Sequence, residues 1–375
     1  MNRLDRLFFL RAFSRITRMA IVPLLALTLF AGCTGGTAPA ASPQEASSAP
    51  VASSAETASS EAASDDASAE ASANAIARVV TDLKGNELEV PMTVDRIISL
   101  APSTTDLLLD LGLSDKIIAV DTYSETSYAD DLPSGIPSFD MMNPDNEQIV
   151  ALNPDIVFTT GMSAAWGEDV FASAREAGVF IIDIESQASL QEIVDSIVFI
   201  GDCVKERAAA EEIAADMEAF LDEARSSALG IATEEPINVL FELSTPTADF
   251  PTIYSVGPGS YIDEILTLVG AVNIASDTDT PWPVLTEEAA IEKNPTHIIT
   301  TDNYTPDVVQ VILSTDGWEN VAAVQERNVY LIDADRINRP NHHVCESIVE
   351  LLDIFYPGVF EDLESPFDET LPNAA

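Results

Sequence analysis

Short apolar runs alternate with helical patterns along most of the chain. Residues 78–82 and 87–90 flank Lys84-Gly85-Asn86, which predicts a hairpin. Short strands are then predicted at 96–100, 117–120, 156–159, 179–184, 238–243, 298–300 and 329–332. Helices are predicted at 107–111, 169–177, 205–227, 261–269, 307–313 and 344–355. Buried short strands that alternate with helices indicate an α/β fold with mostly parallel sheets.

The predicted helix over 205–227 is longer than the others. Its apolar side chains at 213, 217, 220, 221 and 224 follow helical spacing, and no proline or glycine interrupts it. At 1.5 Å per residue it spans about 35 Å. A helix of that length is long enough to join two lobes.

An internal repeat indicates that the two lobes share one plan. Residues 147–160 recur as residues 288–301, and each copy runs from a glutamate through Asn-Pro to a strand ending in Thr-Thr. Residues 179–183 likewise resemble 329–333, and Pro102-Ser103 resembles Pro258-Gly259-Ser260. Three matches in the same order predict two similar lobes with a cleft between them. Because ligands of open α/β sheets lie beyond the carboxyl ends of the strands, the candidate ligand loops are 102–104, 121–128, 161–166, 244–254 and 333–343.

The N-terminus reads as an export signal. Five arginines precede an apolar run of fourteen residues, 19–32, which is too short to span a bilayer. The run ends in Phe30-Ala31-Gly32-Cys33, which resembles the lipobox of bacterial lipoproteins, with Phe30 in place of the usual leucine. That resemblance implies lipidation of Cys33 and anchoring on the outer face of the cell membrane. The alternative is ordinary cleavage that leaves Cys33 as a free thiol.

These patterns divide the chain into six segments. They are a signal peptide over 1–32, a tether over 33–75, an N-terminal lobe over 76–203, a linking helix over 204–230, a C-terminal lobe over 231–360 and a tail over 361–375. From residue 34 the tether is rich in alanine, serine and glutamate, and it contains no lysine, arginine or aromatic residue. Such a composition predicts a flexible acidic segment with a reach of about 35 Å.

Charge and motif content exclude several classes of function. The chain carries 63 acidic and 17 basic residues, for a net charge of −46, which excludes nucleic acid and anionic lipid head groups as partners of the folded part. There is no nucleophile elbow, Walker A motif, complete GxGxxG or HExxH, so we expect no enzyme and no cofactor. Cys203 and Cys345 form either a disulfide or two buried thiols.

Several motifs in order carry a family resemblance. They are Arg-Ile-Ile-Ser-Leu-Ala-Pro-Ser-Thr-Thr-Asp at 96–106, Asn-Pro-Asp-Ile-Val at 153–157, Pro-Trp-Pro at 281–283 and Arg-Pro at 339–340. Together they resemble the solute-binding proteins of iron-chelate and cobalamin ABC importers, over about 78–360. The resemblance implies two Rossmann-like lobes joined by one long helix, a monomer, and a partner composed of a permease dimer and its ATPase. It also implies a metal chelate as ligand, either cobalamin or a ferric siderophore. Haem binding within the same family, or a sensor or adhesion role, is the alternative.

The likeness is strongest to the cobalamin-binding members, and it implies individual site residues. Tyr123, Phe139 and Trp282 match three aromatic side chains that contact the ligand there. Met142 lies where some haem-binding relatives place an iron ligand, whereas Gly259 stands where a second such ligand is usual. The flat faces of aromatic side chains suit a macrocycle.

The last cleft segment departs from the family. Arg339-Pro340-Asn341-His342-His343 stands where Arg-Pro-Gly-Pro-Arg is usual. One of the two histidines could bind the metal of the ligand, although adjacent side chains diverge, so at most one is expected to face the cleft. Arg336 and Arg339 could balance the charge of an anionic siderophore.

Two glutamates are implied as contacts to the transporter. In this family one surface glutamate on each lobe docks onto arginines of the permease, and the matching residues here are Glu147 and Glu288. The internal repeat places them at equivalent positions of the two lobes.

Overall fold

The computed structural model describes residues 77–161, 169–229, 236–247 and 251–368. The predicted signal peptide, Cys33 and the tether lie outside the described residues. So do residues 162–168 and 248–250, which include parts of the predicted ligand loops 161–166 and 244–254.

The described residues form thirteen strands, twelve α-helices and one short 3₁₀ helix at Ser114–Lys116. The strands are β1 Arg78–Thr81, β2 Glu87–Val90, β3 Ile97–Leu100, β4 Ile117–Asp121, β5 Ser138–Phe139, β6 Ile156–Thr160, β7 Ile181–Ile184, β8 Ile237–Glu242, β9 Thr252–Tyr254, β10 Ala271–Asn273, β11 Val284–Thr286, β12 His297–Thr300 and β13 Val329–Leu331. The helices are α1 Pro102–Asp110, α2 Thr122–Ser127, α3 Asn146–Ala151, α4 Ala172–Glu176, α5 Leu190–Cys203, α6 Arg207–Ala228, α7 Tyr261–Leu268, α8 Glu287–Lys293, α9 Val308–Leu313, α10 Ala322–Glu326, α11 Ala334–Ile337 and α12 Val344–Phe355.

Two parallel sheets organise the two halves of the chain. The first has the order β5-β4-β3-β6-β7 and the second the order β10-β8-β12-β13. All neighbouring strands within each sheet run parallel. Apart from the edge strand β5, the first sheet therefore corresponds strand by strand to the second: β4-β3-β6-β7 to β10-β8-β12-β13. The predicted α/β fold with two lobes of one plan is confirmed, while the six segment boundaries stay predictions.

The repeat has a structural cause at its Asn-Pro step. Asn153 and Asn294 both adopt the left-handed conformation, with φ of 45° and 46°. Asparagine tolerates that region better than most side chains, and the following proline cannot continue a helix. Each Asn-Pro step therefore ends a helix, α3 or α8, and directs the chain into a strand, β6 or β12.

The residue after each proline joins that strand to the centre of its sheet. The backbone N–H of Asp155 donates to the carbonyl of Arg96 at 2.9 Å, and that of Thr296 donates to the carbonyl of Asn238 at 2.9 Å. In return, the side chains of Asp155 and Thr296 accept the N–H of Arg96 and of Asn238, both at 2.9 Å. The repeat thus conserves a reciprocal pair of hydrogen bonds at the start of β3 and β8.

The long helix α6 has 22 residues and spans about 33 Å. Its buried side chains are Ala210, Ala214, Met217, Phe220, Leu221 and Ala224, and they belong to a core shared by helices of both halves. Helix α5 packs against it, and a Cβ at Gly201 would lie 2.2 Å from the Cβ of Ala210. Glycine at 201 therefore sets how closely the two helices approach.

Cys203 and Cys345 are buried free thiols. Of the two alternatives for this pair, the disulfide is therefore wrong. Burial raises the pKa of both thiols, so neither is a reactive thiolate near neutral pH.

Candidate ligand-binding cleft

A cavity of about 480 Å³ lies at the carboxyl ends of the strands of the first sheet. Every strand of that sheet contributes to its wall: residues 101–103 follow β3, 122–123 follow β4, 140–142 follow β5, Thr160 ends β6, and 184–187 end and follow β7. The second half of the chain closes the opposite side with Tyr261, Trp282 and residues 338–340. The volume falls within the range of small-molecule sites.

Tyr123 and Trp282 present exposed aromatic faces from the two halves of the chain. Their side chains are 55% and 44% exposed, although both line the cavity. Large aromatic side chains exposed in a concave wall are typical of a binding site, because a ligand that contacts them buries their apolar area.

The position of Tyr123 is set by Asp121, the N-cap of α2. One Asp121 carboxylate oxygen accepts the N–H of Tyr123 at 2.9 Å and of Ser124 at 3.0 Å. Burial raises the pKa of Asp121. Behind it, the Ser124 hydroxyl donates to Thr105 at 3.0 Å, and Thr105 donates to Ser99 at 2.8 Å. This buried polar network connects β3, α1 and α2 beneath the cavity floor.

Trp282 is held in a turn between two prolines. The N–H of Gly257 donates to the carbonyl of Pro281 at 2.9 Å, and the N–H of Ser255 donates to that of Pro283 at 3.0 Å. A Cβ at Gly257 would lie 2.5 Å from the carbonyl oxygen of Thr280, so this approach requires glycine. These backbone hydrogen bonds hold the segment that carries Trp282 against the loop before α7.

Arg339 links the two halves at the edge of the cavity. Its guanidinium donates to the hydroxyls of Tyr128 at 2.6 Å and Ser127 at 2.7 Å, both in or beside α2. It also pairs with Asp335 at 2.6 Å and is only 11% exposed. This arginine therefore holds the last loop against the first half of the chain, and its charge is already balanced.

Of the eight predicted ligand-contacting residues, four line the cavity: Tyr123, Met142, Trp282 and Arg339. Phe139 does not, since it is 5% exposed within the core of the first sheet. Side chains alternate along a strand, so Phe139 faces the core while Asp140, the next residue, reaches the cavity wall. Arg336 lies at a second, smaller cavity and pairs with Asp333 at 3.7 Å.

His342 and His343 also lie away from the main cavity. Both rings turn toward α1, where their Nε2 atoms lie 2.7 Å and 3.0 Å from one carboxylate oxygen of Asp110. Burial opposes a charge on His343, but hydrogen bonds to Asp110 and Glu346 raise its pKa to about 10. The same pairing holds the pKa of Asp110, despite burial, well below its usual range. The expectation that one histidine faces the ligand is not supported by this placement.

Sequence reasoning missed part of the cavity wall. The segment after β7, which includes Ser186 and Gln187, was not among the predicted loops, although it follows a strand like the others. Tyr261 was missed as well: it begins α7, and its hydroxyl donates to the carbonyl of Ile337 at 2.8 Å. The rule that ligands lie beyond strand ends would have found the first of these.

Glu147 and Glu288 occupy the second position of α3 and α8. Both are exposed, and neither forms a salt bridge within the part of the chain that the structure describes. The caps of these helices are the preceding side chains: Asp145 accepts the N–H of Gln148, and Thr286 accepts that of Ala289. Neither glutamate is used as a cap, and their role as transporter contacts stays a prediction.

Comparisons with known proteins agree with this architecture. The chain is 28% identical to the "Uncharacterized ABC transporter substrate-binding lipoprotein YvrC" of Bacillus subtilis, over 76% of this chain and 87% of that protein. It is 27% identical to the "Vitamin B12-binding protein" of Vibrio cholerae, over 70% of this chain and 90% of that protein. A solved structure of a possible iron-binding periplasmic solute-binding protein from Staphylococcus epidermidis superposes with a TM-score of 0.61 at 26% identity, over 70% of this chain and 99% of that one.

Among the described residues, no helix combines the length and apolar character needed to cross a bilayer. The sequence profile of the family described as "Periplasmic binding protein" matches residues 97–336, which is more than half of the chain. The chain therefore belongs to the periplasmic binding protein family, whose members are solute-binding proteins of ABC importers.

Proposed function

We propose that this chain binds a metal chelate, cobalamin or a ferric siderophore, between its two lobes and delivers it to an ABC importer. The observation that carries the proposal is the pair of exposed aromatic faces, Tyr123 and Trp282, that line one cavity from opposite halves of the chain. A ligand with two extended faces would bury both rings at a low cost in side-chain entropy.

The wall combines apolar and polar side chains, which suits a large ligand with both apolar faces and polar groups. Met141, Met142 and Ile184 lie beside the aromatic rings, and methionine side chains adapt to irregular surfaces. Polar and charged side chains share the wall, among them Gln187, Asp140 and Glu185. The relatives named for vitamin B12 and for iron point to the same class of ligand.

Haem is less well supported as the ligand. Met142 lies at the cavity wall, where a side chain that binds haem iron would have to lie. The usual second position, however, is Gly259, which has no side chain to offer an iron ion. Contact with the faces of tyrosine and tryptophan does not require a protein side chain bound to the metal. It therefore favours chelates in which the chelator already completes the coordination of the metal.

A titration identifies the ligand class. The chain without residues 1–32 is titrated with cyanocobalamin, a catecholate and a hydroxamate ferric siderophore, and haem, while tryptophan fluorescence is recorded. We expect one of the first three to quench the emission with one-to-one stoichiometry at micromolar concentration or below. If none of these chelates binds at micromolar concentration, the proposed ligand class is wrong.

Delivery is tested separately from binding. The double charge reversal Glu147→Arg with Glu288→Arg should leave chelate affinity unchanged. It should abolish uptake by cells that carry the cognate transporter, since docking relies on complementary charge. The matched control is Glu212→Arg with Glu223→Arg, two exposed residues of α6. Normal uptake by the first variant, or an equal loss in the control, would refute the docking role.

We further propose that lipid chains on Cys33 hold the protein at the outer face of the cell membrane. Cys33→Ser should then move the protein from the membrane fraction to the soluble exported fraction. A variant that stays with the membrane would contradict this.

A further inference from the structure

Two histidines and a set of carboxylates meet where the last loop crosses onto α1. Asp106 and Asp110 are four residues apart on α1, so they share one face of that helix. The loop before α12 lies against this face, since the Asn341 amide donates to Asp106 at 2.8 Å and to the carbonyl of Ser103 at 3.4 Å. The cluster therefore joins the first half of the chain to the last segment of the second half.

The ring nitrogens converge on a single carboxylate. His342 Nε2 and His343 Nε2 lie 2.7 Å and 3.0 Å from Asp110 Oδ2. Asp106 Oδ2 lies 3.9 Å from His343 Nε2. One ligand atom from each of Asp110, His342 and His343 lies within 4.8 Å of the other two. Around a zinc ion with bonds of 2.0–2.1 Å, tetrahedral ligand atoms are about 3.3 Å apart, so the two imidazoles, now up to 4.8 Å apart, would move closer together around the ion.

His343 is oriented like a metal-binding histidine whose second ring nitrogen is held by a carboxylate. Its Nε2 faces the cluster, and its Nδ1 lies 2.9 Å from Glu346 Oε1. A metal-binding histidine almost always gives its second ring nitrogen to such a carboxylate or carbonyl group, which fixes the ring and its tautomer. Glu346 is 6% exposed, and its other oxygen, Oε2, is buried with no hydrogen-bond partner among the described residues. A buried carboxyl oxygen without a hydrogen-bond partner is costly, so the observed contacts leave this group open to a further partner.

Charge and access both suit a cation. Asp106, Asp110 and Glu346 bring three carboxylates to two imidazoles. A cavity of about 180 Å³ opens onto His343, Asp106 and Glu346, which gives an ion a path from solvent. A bound cation would displace the ring protons that Asp110 now accepts, because an imidazole binds metal in its deprotonated form.

We propose that Asp110, His342 and His343 bind one divalent transition-metal cation, with zinc as the best fit, and that this ion fastens α1 to the start of α12. The donor set of two imidazoles and a carboxylate is one that zinc prefers, with a fourth position left for water or Asp106. The site is distinct from any metal inside the transported ligand, since neither histidine lines the main cavity. It stands or falls independently of the proposed function.

Cobalt(II) substitution tests the site directly. The full chain, purified and freed of metal with a chelator, is titrated with Co²⁺, which absorbs visible light strongly only in a low-symmetry, four-coordinate-like site. We expect about one equivalent to give such absorption, and Zn²⁺ to remove it by displacement. The acidic surface would bind further Co²⁺ weakly and with its waters retained, without this absorption.

Variants assign the ligands. His342→Gln with His343→Gln, and separately Asp110→Asn, should each weaken Co²⁺ binding at least tenfold. His297→Gln and Asp115→Asn are the matched controls, since the first removes the remaining histidine of the chain and the second removes an exposed acid near α1. Absence of the visible absorption in the parent chain, or its persistence in the double histidine variant, would overturn the proposal.

A measurement on the unaltered chain guards against misfolded variants. With three histidines in the whole chain, their ring signals can be resolved by NMR with histidine-selective labelling. Addition of one equivalent of Zn²⁺ should shift the signals of two histidines and leave that of His297 in place. If no signal shifts, or if the signal of His297 moves as much as the others, the site does not exist.

Discussion

Glu242 lies fully buried at the carboxyl end of β8, and its raised pKa makes stability depend on pH. Burial, with added repulsion from Asp302 and Glu287, raises the pKa of Glu242 from 4.5 to about 8. The one hydrogen bond that opposes this shift, from the Thr245 hydroxyl at 3.5 Å, is long. Glu242 is therefore protonated in the folded chain at neutral pH, whereas it is ionised in the unfolded chain.

The sign and size of the effect follow from linkage. Below pH 4.5 the carboxyl is protonated in both states, so it contributes no pH dependence. Between pH 4.5 and 8 the unfolded chain loses this proton and the folded chain keeps it, so the free energy of unfolding falls as pH rises. At about 1.4 kcal/mol per pH unit, the interval corresponds to about 5 kcal/mol.

Glu242→Gln removes the titration and keeps the shape. We expect the variant and the parent chain to unfold in urea with similar free energies at pH 4.5, and the variant to be more stable by several kcal/mol at pH 8.5. Only the difference between the two chains is informative, since the large net negative charge also destabilises both at high pH. The control is Glu223→Gln, at an exposed position of α6. A difference that stays constant from pH 4.5 to 8.5 would refute the reasoning.

Two other substitutions probe packing and the link between the halves. Gly201→Ala should lower the free energy of unfolding by about 1–3 kcal/mol, because the new Cβ would lie 2.2 Å from that of Ala210; a urea curve that matches the parent would contradict the close approach of α5 and α6. Arg339→Lys keeps the charge but loses the planar group that reaches Tyr128, Ser127 and Asp335, so thermal unfolding should show a loss of about 1–3 kcal/mol. Arg336→Lys is its control, since the ion pair between Arg336 and Asp333 is long at 3.7 Å, and an equal loss there would count against a specific role for Arg339.

Sequence patterns predicted the two sheets because each copy of the repeat consists of features that depend only on neighbouring residues. An apolar strand, a helix that ends at Asn153 or Asn294 and a proline are all visible in the residues themselves. Helix α5 was missed, although Ser189 caps it and accepts the N–H of Glu192 at 3.2 Å, at the serine-to-glutamate spacing of a capping box. Its apolar residues at 190, 193, 194, 197, 200 and 203 also follow helical spacing, so both signals for α5 were present in the sequence.

The candidate site was predictable only in part, because some of its side chains are placed by contacts between distant parts of the chain. The loop positions of Tyr123 and Trp282 follow from strand ends and the proline turn. The direction of a side chain that packs across the two halves does not. His342 and His343 turn toward Asp110 and not toward the cavity, and this depends on how α1 meets the loop before α12. Contacts between residues more than 200 positions apart have no local pattern in one sequence.

The central claim is that one chelate contacts both lobes at once. A double-mutant cycle with Tyr123→Ala and Trp282→Ala measures this directly, with calorimetric affinities for the chelate that binds, and with Tyr304→Ala, 83% exposed and outside the cavity wall, as the control. The account predicts that each single substitution weakens binding at least tenfold and that Tyr304→Ala leaves it unchanged. Affinity that is unaltered by either substitution would contradict a ligand held between the two aromatic faces.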